Sequence, residues 1–148
     1  MEELGIYNNR KLIYQRHGLD VNWTKSFPDK NWLLLVVSEG KEKAILAEIS
    51  RKAIDKNVCY ICCAGEQSKL LHDMIDDEIA YREVDVDNHH LPPYDVIMTT
   101  WDIDFSEATW FAIFAAYNDP EIINSIICLD ASEMEIKSKL ENLVRDFV

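Results

Sequence analysis

Glycine and proline are scarce in this chain, with four of each in 148 residues. So few glycines leave little room for the backbone loops that cradle phosphate. Neither G-x-x-x-x-G-K-[S/T] nor G-x-G-x-x-G occurs, and no G-x-S-x-G nucleophile elbow is present. Basic residues nearly vanish from 70–136, where Arg82 is the one Lys or Arg against sixteen Asp and Glu. No apolar run approaches the ~20 residues that cross a bilayer. The opening Met1-Glu2-Glu3 offers no basic-then-apolar leader, so a cytoplasmic protein is expected.

What is present is ordinary globular material, 48% hydrophobic and 28% charged, in a length that suits one domain, 1–148. Residues 1–30 read as a less regular N-terminal extension. Cys59, Cys62, Cys63 and Cys128 fall in strand-like apolar segments and read as reduced, buried thiols. Strand alternation sends Cys59 and Cys63 to one face and Cys62 to the other, which removes C-x-x-C as a redox or zinc motif. No cofactor is expected. The net charge of −12 is unevenly spread. Residues 1–69 carry eleven Lys and Arg against nine acids, and all the negative excess lies in 70–136. Such a field repels nucleic acid and anionic membrane, and it attracts basic proteins or cations.

Asn31 to Ser38 is a continuous apolar run that suits a strand buried on both faces. Ser38 is placed to cap the helix that follows, where Ile45, Leu46, Ile49, Ala53 and Ile54 recur at helical spacing. Val58–Ala64 reads as a second strand ended by Gly65. Leu70, Leu71, Met74, Ile75 and Ile79 mark a second helix. Residues 80–93 read as a polar connector, with a short edge strand at Tyr81–Val86. Asp95–Trp101 is the third core strand. Asp104 and Glu107 form a capping pair for a helix running to about Asn118. Ser125–Asp130 is the fourth strand, and Ser132-x-x-Glu135 is a capping box for the last helix. Lys11–Gln15 is a candidate added strand. The pattern predicts an α/β fold of three layers, Rossmann-like or flavodoxin-like. Its mostly parallel sheet has four to five strands, core order 2-1-3-4, and helices on both faces.

Ligands of such sheets bind beyond the carboxyl ends of the strands. Here those ends hold carboxylates: Glu39, Glu66, Asp102, Asp104 and Asp130. Three or more converging would suit Mg²⁺, although Asp and Ser after a strand are also ordinary capping chemistry. His72 and Asp76, at i and i+4, share a helix face, and His89-His90 lies in a loop. Trp101, Phe105, Trp110, Phe111, Phe114 and Tyr117 crowd seventeen residues. Trp110, Phe114 and Tyr117 fall on one face of their helix, where core burial is expected ahead of a partner surface.

Met98-Thr99-Thr100-Trp101, followed by Asp104 and Glu107-Ala108-Thr109-Trp110-Phe111, resembles the signature of a family of small uncharacterised bacterial proteins. There, a strand ending in M-T-T-W leads into an acidic loop and an aromatic helix. Cys59-Tyr60, Ala64-Gly65, His72-Asp73 and Asp77 resemble the same family's second strand and the acidic stretch behind it. The likeness covers about residues 30–135. Asp102 stands where the family often has His, and Ser68 where it often has Cys. The resemblance implies a fold rather than a reaction. In composition the chain is also similar to bacterial immunity proteins, which cover basic nuclease toxins.

The leading expectation is therefore a binding module rather than an enzyme, monomeric or homodimeric, that neutralises a basic, nuclease-like toxin by charge complementarity. It would use Asp73, Asp76, Asp77, Glu83, Asp85, Asp87, Trp101, Asp102, Asp104 and Trp110, and would touch neither nucleic acid nor membrane. The alternative is a Mg²⁺-dependent enzyme acting on a phosphorylated or nucleotide substrate with Glu39, Asp102, Asp104 and Asp130. A third reading is a scaffold with its aromatic helix at a homodimer interface.

Overall fold

The apolar run beginning at Trp32 forms the centre of the sheet. The structure, a computed structural model, describes residues 1–18, 22–85, 87, 89–92, 97–119 and 121–147. In it, β3 (Trp32–Ser38) is buried at every position, because it has a strand on each side and helices over each face. Along it, side chains alternate between two cores. Leu33, Leu35 and Val37 face one; Trp32, Leu34 and Val36 face the other.

The chain begins with β1 (Glu2–Tyr7) and β2 (Arg10–Arg16), an antiparallel hairpin. Asn8 and Asn9 close it with φ of 52° and 60°, the left-handed pair that a two-residue hairpin turn demands. After β3 come α1 (Lys43–Asp55), β4 (Tyr60–Ala64), α2 (Ser68–Asp85) and β5 (Met98–Asp102), then α3 (Phe105–Phe114), β6 (Ser125–Ala131) and α4 (Lys137–Arg145). The fold is α/β, with one six-stranded mixed sheet ordered β1-β2-β6-β3-β4-β5. Every pairing but β1 with β2 is parallel. α1 and α2 contribute Leu46, Ile49, Ile54, Leu71 and Ile75 to the Trp32 core. α3 and α4 contribute Ala108, Ile113, Leu140 and Val144 to the Leu33 core. Arg82 ties α2 to α1 through Asp55 Oδ1 at 2.8 Å and the carbonyl of Arg51 at 3.3 Å.

The expected core order, with the third strand between the first and the fourth, is not the one formed. β6 pairs with β3, and β5 lies outside β4 at the edge. Composition explains the choice. β6 reads Ser-Ile-Ile-Cys-Leu-Asp-Ala and is buried from Ile126 onward, so it fills an interior position. β5 reads Met-Thr-Thr-Trp-Asp and is nowhere fully buried, as suits a strand with one neighbour.

Several local expectations also shift. Tyr81–Asp85 continues α2 rather than forming an edge strand. α3 stops at Phe114, short of Asn118. Ser38 does not cap α1, whose N-cap is Glu42; its hydroxyl is buried without a partner among the described residues. The Ser132–Glu135 capping box does not form. Ser132 Oγ turns instead to Asp130 and to the carbonyl of Met134, and α4 starts after Ile136. Cys59 precedes β4 rather than lying in it, so it joins Cys62 in one core while Cys63 faces the other. All four cysteines are free and buried. Val86, Asp95 and Val96 of the expected strands lie outside the described residues.

Candidate protein-binding surface

β5 is the last strand of the sheet, paired with β4 on one side and with no strand beyond it among the described residues. Register decides which of its side chains go where. Thr100 and Asp102 lie opposite Cys62 and Ala64, on the α3 face. Thr99 and Trp101 lie opposite Ile61 and Cys63, on the α2 face. The acidic loop that ends β5 is drawn into helix capping. Asp102 Oδ1 accepts from the Asp104 amide at 2.9 Å. Asp104 Oδ1 in turn accepts from the amides of Ser106 at 2.8 Å and Glu107 at 3.3 Å, as the N-cap of α3.

On the α3 face, a cleft of about 300 Å³ opens beside β5, lined by Thr100, Asp102, Glu107, Trp110 and Phe111 among others. Trp110 is 48% exposed and its ring lies 5.7 Å from that of Phe114, which is also exposed. The aromatics of α3 thus divide, against the expectation of core burial. Phe105 is buried and Phe111 packs on the core, while Trp110 and Phe114 face outward. Tyr117 is exposed too, but beyond the helix end. Nearby in this core, burial pushes the Tyr60 hydroxyl and the Cys62 thiol each up to about 12. Both are neutral at pH 7; Asp102 and Glu107 are the carboxyl side chains of the cleft wall.

On the α2 face, Thr99 Oγ1 donates to Asp76 Oδ1 at 2.9 Å and lies 3.2 Å from His72 Nε2. His72 Nδ1 lies 3.1 Å from Asp73 Oδ1, and Lys69 Nζ donates to Asp73 Oδ2 at 2.9 Å. The Lys69 hydrogen bond, seconded by His72, holds the Asp73 carboxyl below the usual carboxylate range. The Lys69 ammonium also sits 5.7 Å from the centroid of Trp101, an intramolecular cation on the aromatic. A second groove, about 380 Å³, runs between this helix and β5 along Asp76, Ile79, Ala80, Glu83, Ile97 and Met98.

Of the residues expected to meet a partner, Asp76, Glu83, Trp101, Asp102 and Trp110 line the two grooves at the β5 edge. Asp73, Asp76, Asp77, Glu83 and Asp85 are on α2, Trp101 and Asp102 on β5, and Asp104 and Trp110 at α3. Asp77, Glu83 and Asp85 are exposed and make no side-chain hydrogen bond or ion pair among the described residues. Asp87 is exposed just past α2. The sequence reading passed over Ile103, 70% exposed, and also Thr100, Glu107 and Phe111 as cleft walls.

The strand-end carboxylates do not assemble. Among the described residues, no three His, Cys, Asp or Glu side chains converge in a way that suits a metal. Glu39 follows β3, while Asp102 and Asp104 lie at the end of β5, on the far side of β4, and serve the start of α3. Asp130 is wholly buried. It accepts from Tyr14 at 2.6 Å, the Ile136 amide at 2.8 Å and Ser132, and it pairs with Arg16 at 2.9 Å. Burial opposes its ionisation, yet these donors together hold its carboxyl below the usual range. It anchors β2, β6 and the approach to α4. Among the described residues no helix is long and apolar enough to cross a membrane.

The model of the family described as a domain of unknown function (DUF7684) matches residues 13–147. The chain belongs to this family. The match to DUF7684 starts within β2, leaves β1 outside, and takes in α2, β5 and α3 entire. No curated protein and no solved structure matches the chain.

Proposed function

We propose that this chain is a binding module for a basic protein, of the immunity type in which an acidic surface covers a nuclease-like toxin. The observation that carries the reading is the composition of the β5 edge. Exposed Trp101, Ile103 and Trp110 lie there beside an acidic helix. Interfaces draw affinity from a few aromatic anchors and encounter rate from charge. An α2–β5–α3 surface supplies both from contiguous elements, and the same charge disfavours nucleic acid and anionic membrane.

The order β5-β4-β3-β6, with the two cores on either side, is taken as a Rossmann-like arrangement used as a scaffold rather than for a dinucleotide. The four buried thiols suit a reducing compartment, the cytoplasm.

The test is affinity capture from the native host, followed by identification of the retained protein and calorimetry on the purified pair. A partner of high isoelectric point is expected, bound about tenfold or more weakly by the combined Asp77→Lys, Glu83→Lys, Asp85→Lys variant at low salt. Equal affinity of the variant and the wild type at low salt overturns the proposal.

A further inference from the structure

We propose that the open edge of β5 receives an extended segment of the basic partner as an added strand, with arginine side chains entering the cleft beside α3. This rests on the protein-binding reading above and specifies how the partner is held.

The sheet has two edges, and among the described residues only one is guarded. At the far edge, the β1 register shifts between Glu3 and Gly5, and Gly5 takes a φ of 141°. Such an irregularity interrupts templated pairing. β5 pairs with β4 in unbroken register from Met98 to Asp102 and contains neither Lys nor Pro. The Met98 amide points to β4, donating to the Cys59 carbonyl at 3.4 Å. By alternation, the amides and carbonyls of Thr99 and Trp101 point away from the sheet.

An added strand places successive side chains on opposite faces, and at β5 each face has a receptacle. The cleft beside α3 combines Trp110 and Phe111 with Asp102 and Glu107. A guanidinium suits this set, since it stacks on rings and forks onto carboxylates. The groove beside α2 offers Ile79, Ala80, Ile97 and Met98 under Asp76 and Glu83, which suits an aliphatic side chain. A segment alternating basic and aliphatic residues fits both at once. A second copy of this chain fits poorly, because its β5 brings no basic side chain to the acidic cleft.

The probe is a short acetylated and amidated peptide alternating Arg and Val. Its comparator is the same peptide N-methylated at every residue, which keeps the charge and removes the amide donors. Calorimetry at low salt is expected to give binding of the parent about tenfold or more tighter than the methylated peptide. Amide exchange at Thr99 and Trp101 is expected to slow by at least about tenfold in the parent complex. Trp110→Ala is expected to weaken the parent by about tenfold.

Equal affinities with unchanged exchange at Thr99 and Trp101 overturn the added strand while leaving a charge-driven partner in place. Absence of binding by the parent overturns it as well, and the host-partner capture then decides the protein-binding reading on its own. Slowed exchange at these amides in peptide-free protein, rising with protein concentration, assigns the edge to a second copy and also overturns the proposal.

Discussion

Thr99 Oγ1 donates to Asp76 Oδ1 at 2.9 Å, a hydrogen bond that pins the edge strand β5 to the acidic helix α2. It adds to the Thr99–His72 contact and the Lys69 ammonium on Trp101, which tie the same two elements. Thr99→Val removes the donor while keeping the β-branched shape. It is expected to cost about 1 kcal/mol and to raise amide exchange across Met98–Asp102, which chemical denaturation and exchange mass spectrometry would read. Unchanged stability and exchange would show that the bond does not hold the edge.

Asp104 turns the acidic loop after β5 into the start of the helix that presents Trp110. Asp104→Ala leaves the amides of Ser106 and Glu107 without their acceptor. A loss of about 1 kcal/mol is expected, and Asp104→Asn, which keeps an acceptor oxygen, should recover most of it. Thermal unfolding of the two variants side by side separates capping from charge.

Reversing Asp77, Glu83 and Asp85 to Lys should leave folding stability within about 0.5 kcal/mol for each site, since none is engaged within the molecule among the described residues. The association rate with the basic partner should fall by about tenfold at low salt, and the deficit should shrink as salt rises. Stopped-flow mixing reads this directly. A change confined to the dissociation rate would indicate short-range contacts instead of steering.

Asp130 gives the stability of the fold a definite dependence on acid. Its folded pKa lies below the ordinary 3.8, so the unfolded chain takes up the proton first on acidification. Its stabilising contribution is complete above pH 3.8 and is lost as pH falls through the lower folded value. Asp130→Asn should cost about 3 kcal/mol at pH 7 by leaving Arg16 and the Tyr14 hydroxyl without their carboxylate, and should flatten the acid limb of the unfolding midpoint against pH. A parallel limb in the variant would place the acid sensitivity elsewhere.

The alternation of β and α elements was legible because β3, β4 and β6 are apolar runs of strand length and α1 has a clear helical stripe. The strand order was not. Crossover patterns allow several orders, and what separated them was how far each strand tolerates exposure, a property of Thr99, Thr100 and Asp102 that an apolar count does not register. The β1–β2 hairpin was half legible: Lys11–Gln15 had the strand pattern, but Asn8-Asn9 carried the turn signal and was passed over. Ser132 failed as a cap because a buried carboxylate two residues earlier competes for its hydroxyl. At the candidate surface the acids and both tryptophans were readable by type. Glu107 and Phe111 became visible as cleft walls only once α3 lay beside β5.

The central claim is that α2, β5 and α3 form one partner surface. Hydrogen-exchange mass spectrometry of the captured complex against the free protein tests it most directly. Slowed exchange is expected over residues 68–85 and 98–114, with none at β1 and β2. Slowed exchange confined to β1 and β2, or to α4, would contradict it.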